Sequence, residues 1–187
     1  MTVPAGGADR TGWRGEPWLV VIDLQHVFAD ADSPWHVPDF PAVVDRLGGL
    51  VAQHPGRVVL TRFVPPVAPQ GSWTDYYRTW PFALDPAHEA LWRLVPEVTA
   101  LLPDVPVVTR PTMGKWGEEL LAVTGGARHL VLCGVATDCC ILSTALAAAD
   151  AGAWVRVESA ACAGGTAADH ERALAAMAAY APQVEVV

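Results

Sequence analysis

Basic residues are scarce in this chain: 12 Lys and Arg stand against 20 Asp and Glu, a formal net charge of -8. That balance excludes a nucleic-acid binder of the ordinary kind, because neutralising phosphates needs a basic face. No apolar run reaches membrane-spanning length, so no membrane partner is expected. The first residues, "MTVPAGGADRTGWRGEP", lack the apolar centre of a signal peptide, and the expectation is a flexible arm over 1–16 on a cytoplasmic protein. Only four cysteines occur, at 133, 139, 140 and 162, with no CxxC spacing and no density of a secreted disulfide scaffold. The six histidines are scattered without ligand spacing, so no metal and no cofactor are expected.

What the chain does have is apolar patterning. Hydrophobic residues make up 52% and charged residues 17%, the balance of a globular protein, and 187 residues suffice for one full core. Short Val- and Leu-rich runs end at Asp23, Phe63, Arg110, Gly134, Ser159 and the C-terminus. They are nearly continuous rather than alternating, as strands buried on both faces should be. Between them, Val43, Val44, Leu47, Leu50 and Val51 repeat at helical spacing, as do "GEELLAVTG" and "DHERALAAMAAYA". Alternation of strand and helix predicts a mostly parallel sheet of about six strands between two helical layers, a three-layer α/β/α domain over 17–187. The Pro-rich, aromatic stretch from Pro65 to Pro86 reads as a functional loop or an interface.

Ligands of open parallel sheets bind beyond the carboxyl ends of the strands. Asp23, Arg110 and the segment Thr137-Asp138-Cys139-Cys140 all follow such ends. Thr137 or Asp138 reads as the N-cap of a small-residue helix running to about Ala151, which places a cysteine in its first turn. There the helix dipole lowers a thiol pKa, and unpaired N–H groups can receive an oxyanion. Taken alone, either thiol is as readily a small core residue. A carboxylate at Asp23, able to take the thiol proton, turns the pair towards nucleophilic catalysis.

"VVIDLQHVF" and "GVATDCCILSTALAAADAG", with the spacing between them, resemble the isochorismatase-like cysteine hydrolase superfamily, which includes nicotinamidases, N-carbamoylsarcosine amidases and isochorismatases. The resemblance runs from about Trp18 to the C-terminus. Its pattern, G-V-x-T-D-x-C-V, implies Cys140 as nucleophile and Cys139 at the variable position. It implies an Asp–Lys–Cys triad with Asp23 as the acid, and a cis peptide at Val135–Ala136 that turns the Ala136 and Cys140 N–H groups into one oxyanion hole. The lysine departs from the pattern: "RPTMGKW" puts Arg110 where Lys is expected and Lys115 one residue before Trp116. Either Lys115 completes the triad or Arg110 substitutes its charge, without lysine's ability to exchange a proton. Metal-binding nicotinamidases carry an Asp and two His after the second strand, where this chain has "TRFVPPVAPQGSW".

The expected substrate pocket comprises Phe28, Arg62, Trp80 and Thr137, with Trp35, Trp73, Tyr76 and Tyr77 as further walls, and Arg62 equally able to meet a substrate carboxylate or to pair with Asp23 or Asp75. These readings imply a metal-independent cysteine hydrolase that cleaves an amide, carbamoyl or lactam C–N bond of a small molecule through a thioester on Cys140. The alternatives are a vinyl-ether hydrolase using Asp23 as acid, or a non-catalytic binding protein. The resemblance also implies a homo-oligomer, a dimer or a tetramer.

Overall fold

The computed structural model describes residues 16–187, so the expected arm over 1–16 lies outside the described residues apart from Glu16. The chain alternates strand and helix throughout: β1 (Trp18–Ile22), α1 (His26–Ala29), α2 (Phe40–Gln53), β2 (Val58–Phe63), α3 (Ser72–Thr79), α4 (Pro96–Leu101), β3 (Val107–Arg110), α5 (Glu118–Thr124), β4 (His129–Val135), α6 (Leu142–Asp150), β5 (Trp154–Ala163), α7 (Ala167–Ala178) and β6 (Val184–Val186). The six strands form one sheet in the order β3-β2-β1-β4-β5-β6, with every pairing parallel.

Alternation along the strands builds two cores. In β1, Leu19 and Val21 enter one core while Val20 and Ile22 enter the other. β4 behaves alike, with Val131, Cys133 and Val135 on the first face and Leu130 and Leu132 on the second. Helix α2 covers the first face through Phe40, Val43 and Leu47, and Ala145, Ala148 and Met177 of α6 and α7 cover the second. Strands buried on both sides need apolar residues at every position, which explains the unbroken runs. Cys133 and Cys162 are buried in these cores.

Two elements differ from expectation. The run ending at Ser159 continues as strand to Ala163, because β5 pairs with β4 again after a register shift, at Gly134–Cys162 and Val135–Ala163. The Pro65–Pro86 stretch is not a loop throughout: it contains α3 and a 3-10 turn over Pro81–Leu84. Tyr77 of this stretch is buried in the first core and Trp73 and Tyr76 pack against it, tertiary contacts of the kind that hold a short helix.

The sheet's central order places the ends of β1, β2 and β4 side by side. Gly134 makes this possible: its φ is +118°, and a Cβ there would lie 2.1 Å from the Ile22 carbonyl oxygen. Gly134→Ala is therefore expected to destabilise the fold by more than about 3 kcal/mol. Gly48 in α2 has open space around its Cβ position, and Gly48→Ala should stabilise by about 0.5–1 kcal/mol. Urea melts of the two variants against the parent protein check both signs.

Candidate active site

The carboxyl ends of β1, β2 and β4 meet at Asp23. This residue follows β1 directly with φ +52°, a left-handed conformation that Asp tolerates better than most side chains. Thr61 of β2 holds it from the side, donating its hydroxyl to Asp23 Oδ1 at 2.6 Å and accepting from the Asp23 N–H at 3.3 Å. Two residues on, the buried Gln25 fixes the chain as it leaves the strand. Its amide donates to the Phe63 and Trp92 carbonyls and its oxygen accepts from the Phe63 N–H, all at 2.8 Å.

Asp23 Oδ2 faces Lys115 Nζ at 3.0 Å, and both side chains have 0% exposure. Lys115 also donates to the Thr112 carbonyl at 2.7 Å and lies 5.2 Å from the centre of the Phe63 ring. Its backbone is tied to the far side of the site: the Lys115 N–H donates to Thr144 Oγ1 at 2.9 Å, and that hydroxyl donates to the Cys140 carbonyl at 2.6 Å. Of the two cations, the structure places Lys115 against Asp23. Arg110 donates to the Trp116 carbonyl at 2.8 Å and pairs with Glu119 at 3.3 Å, turned away from Asp23.

After β4 the chain passes through a cis peptide at Val135–Ala136 into a π-helical turn over Thr137–Ile141, which runs on into α6. Neither Thr137 nor Asp138 caps this turn with its side chain, contrary to the sequence reading. The Thr137 hydroxyl instead pairs with His170 Nδ1 at 2.9 Å, and Asp138 Oδ1 accepts the Gly165 N–H at 3.1 Å. Contacts from α7 and the turn before it thus replace local capping. Cys140 is 4% exposed, and its thiol lies within the electrostatic reach of both Asp23 and Lys115. Burial pushes its thiol well above the ordinary range and the Asp23 carboxylate adds to this, against a lowering pull from Lys115. Burial and the carboxylate act in the direction opposite to the lowering expected from a helix start. Cys139 is pushed up to about 11, by burial first and then by Asp138.

Above Cys140 opens a cavity of about 500 Å³. Phe28, Trp35, Tyr76 and Trp80 line it as expected, joined by Phe63, Met113, His36, Ala136, Cys139, Asp138, Thr166 and Asp169. Arg62 and Thr137 do not. Arg62 reaches sideways to Thr109 Oγ1 at 2.7 Å, and Thr137 is fully buried beneath the turn. Tyr77 is buried in the first core, and Trp73 packs behind Phe63 and Tyr76. Among the described residues no group of three His, Cys, Asp or Glu side chains converges as a metal site would require, so the donors do not fit the metal of metal-binding nicotinamidases.

Sequence reasoning missed Thr61, Gln25 and Thr144. Thr61 is the one small hydroxyl in an apolar run, and Thr144 stands four residues after Cys140 on the same helical face. Those signals were present, but only the neighbours across the sheet give them meaning. Removing one member of a fully buried ion pair leaves the other charge unpaired. Lys115→Met should therefore destabilise the protein by about 3–5 kcal/mol, and adding Asp23→Asn should restore much of that loss. Denaturant midpoints of the two single variants and the double variant test this; additive losses would refute the coupling.

Residues 17–186 match the isochorismatase domain family. Among solved structures, the chain is similar to an isochorismatase-like hydrolase from Alkaliphilus metalliredigens, with 21% identity and a TM-score of 0.74 over 92% of this chain and 94% of that one. It is similar also to a cysteine hydrolase from Pseudomonas syringae pv. phaseolicola, with 20% identity and a TM-score of 0.75 over 91% and 87% of the two chains. A nicotinamidase from Bacillus subtilis matches at 18% identity and a TM-score of 0.70, over 91% and 98%. No curated protein matches the sequence. With nearly the whole described chain inside the family match, the protein belongs to the isochorismatase family of hydrolases.

Proposed function

We propose that the protein is a metal-independent cysteine hydrolase acting on an amide, carbamoyl or lactam C–N bond of a small molecule. The observation that carries this reading is the fully buried Asp23–Lys115 pair directly beside the Cys140 thiol. A carboxylate sealed from water, paired with one cation and close to a thiol, is placed to act as that thiol's general base.

The steps follow from where the protons sit. Asp23 takes the Cys140 proton as Sγ attacks the carbonyl carbon, and the oxyanion is received by the Ala136 and Cys140 N–H groups. Asp23 then gives the proton to the leaving nitrogen as the C–N bond breaks, releasing ammonia or an amine and leaving a thioester. Water attacks that thioester and passes a proton to Asp23. The C–S bond breaks, the proton returns to Cys140, and a carboxylic or carbamic acid departs. Throughout, the ammonium of Lys115 offsets the charge of whichever anion is present, carboxylate or thiolate. The aromatic wall excludes water from the first half of the cycle.

Function in this reading takes place in a homo-oligomer, a dimer or a tetramer, as family resemblance suggests; light scattering on a sizing column reads the state directly.

Two tests bear on the chemistry. Cys140→Ala and Asp23→Asn should each lower amide turnover by about a thousandfold or more, whereas Cys139→Ala keeps it within about tenfold. Turnover surviving Cys140→Ala would sink the thioester route. The second test concerns the resting thiol. Because its pKa is raised, Cys140 in the free enzyme is protonated at neutral pH. Alkylation by iodoacetamide, mapped by peptide mass, should climb steadily from pH 7 through 9 without levelling off. A plateau reached below pH 7 would mean a resting thiolate and would remove the need for Asp23 as base.

A further inference from the structure

The cavity wall is chemically one-sided. Its charged side chains among the described residues are two carboxylates, Asp138 and Asp169, and no Lys or Arg lines it. Lys115 lies below the floor, fully buried and committed to Asp23. Asp138 is fixed in place: its Oδ1 accepts the Gly165 N–H, and a Cβ on Gly164 would come within 2.8 Å of that oxygen, so the glycine permits the approach. Asp169 is bonded to Thr166 Oγ1 and pairs at 2.6 Å with Arg172, whose side chain is 72% exposed and screened by water. The field of both carboxylates reaches the cavity, since both help to raise the Cys139 thiol.

The opposite wall is aromatic. Trp35 stands at its centre, 6.1 Å from Trp80 with the rings edge to face, 6.0 Å from Tyr76, and 6.3 Å from Phe28 in a stacked pair. A cavity wall built from several aromatic rings can attract a cation once water is displaced. A carboxylate in the same place would meet two like charges and no counterion.

We propose that the cavity selects small organic cations, namely amide or carbamoyl compounds carrying an ammonium or quaternary ammonium group, and rejects carboxylate-bearing ones. The cation lies between the Asp138–Asp169 wall and the rings of Trp35, Tyr76 and Trp80. This rests on the hydrolase reading only for the group presented to Cys140; the charge preference stands on the wall itself. It also reverses the sequence expectation that Arg62 would meet a substrate carboxylate.

The test is a binding comparison by titration calorimetry on the full chain at pH 8. The probes are benzyltrimethylammonium, benzyl alcohol and benzoate. The ammonium compound should bind at least about tenfold more tightly than benzoate, with the alcohol between them. Asp138→Asn and Asp169→Asn should each shrink that ratio to about threefold or less. Benzoate binding as tightly as the ammonium compound, or a ratio unchanged in both variants, would overturn the proposal. If one variant fails to fold, the parent ratio and the other variant still decide. Hydrolysis is read separately: a cation preference without turnover of any amide spares this inference and defeats the hydrolase reading. Turnover confined to carboxylate-bearing amides does the reverse.

Discussion

An ammonium and a carboxylate 3.0 Å apart, neither touching water, set the terms for the rest of this structure. Taking each ion out of solvent costs several kcal/mol, and the pair recovers that only with good geometry and further hydrogen bonds. The surroundings supply hydrogen bonds to Asp23 Oδ1 and to Lys115, while Asp23 Oδ2 has no hydrogen-bond partner among the described residues and faces Lys115 as an ion pair alone. Thr61 fills one lone pair of Asp23, the Thr112 carbonyl receives a proton of Lys115, and Thr144 clamps the Lys115 backbone to the Cys140 turn. Each clamp comes from a different element, so the pair can exist only when β1, β2, the segment after β3 and the start of α6 are assembled together.

The nucleophile is governed by the same constraint. A thiol placed at an exposed helix start would be acidified by the dipole. Here the turn is buried and faces a carboxylate, and the thiol is held neutral. On the proposed mechanism, activation waits for substrate: a polarised carbonyl accepts the sulfur electrons while Asp23 accepts the proton. Outward of this pair the cavity is lined by aromatic rings and by the two carboxylates Asp138 and Asp169, on which the proposed preference for cations rests.

Much of the fold was legible in the sequence because buried parallel strands demand unbroken apolar runs, and all six runs became strands. The failures have local causes. Pro and Gly around Pro65–Pro86 read as a loop, yet its aromatic residues gain enough from the first core to hold a short helix. The end of β5 was placed at Ser159 because Ser, Ala and Cys are weak strand signals; pairing across to β4 carries it further.

By itself the sequence determined the layered fold, through its apolar patterning, and put Asp23 and Cys140 at the ends of β1 and β4. Both follow from rules that act along the chain. It left Lys115 and Arg110 as alternatives, because two cations five residues apart on an irregular segment differ only in where the segment turns. It also misjudged the thiol's protonation and the pocket residues Arg62 and Thr137. Tertiary structure decided these: desolvation, like-charge proximity and the direction of a side chain at a strand end depend on neighbours distant in sequence. Thr144 reaching back to Lys115 across 29 positions fixes which cation enters the site.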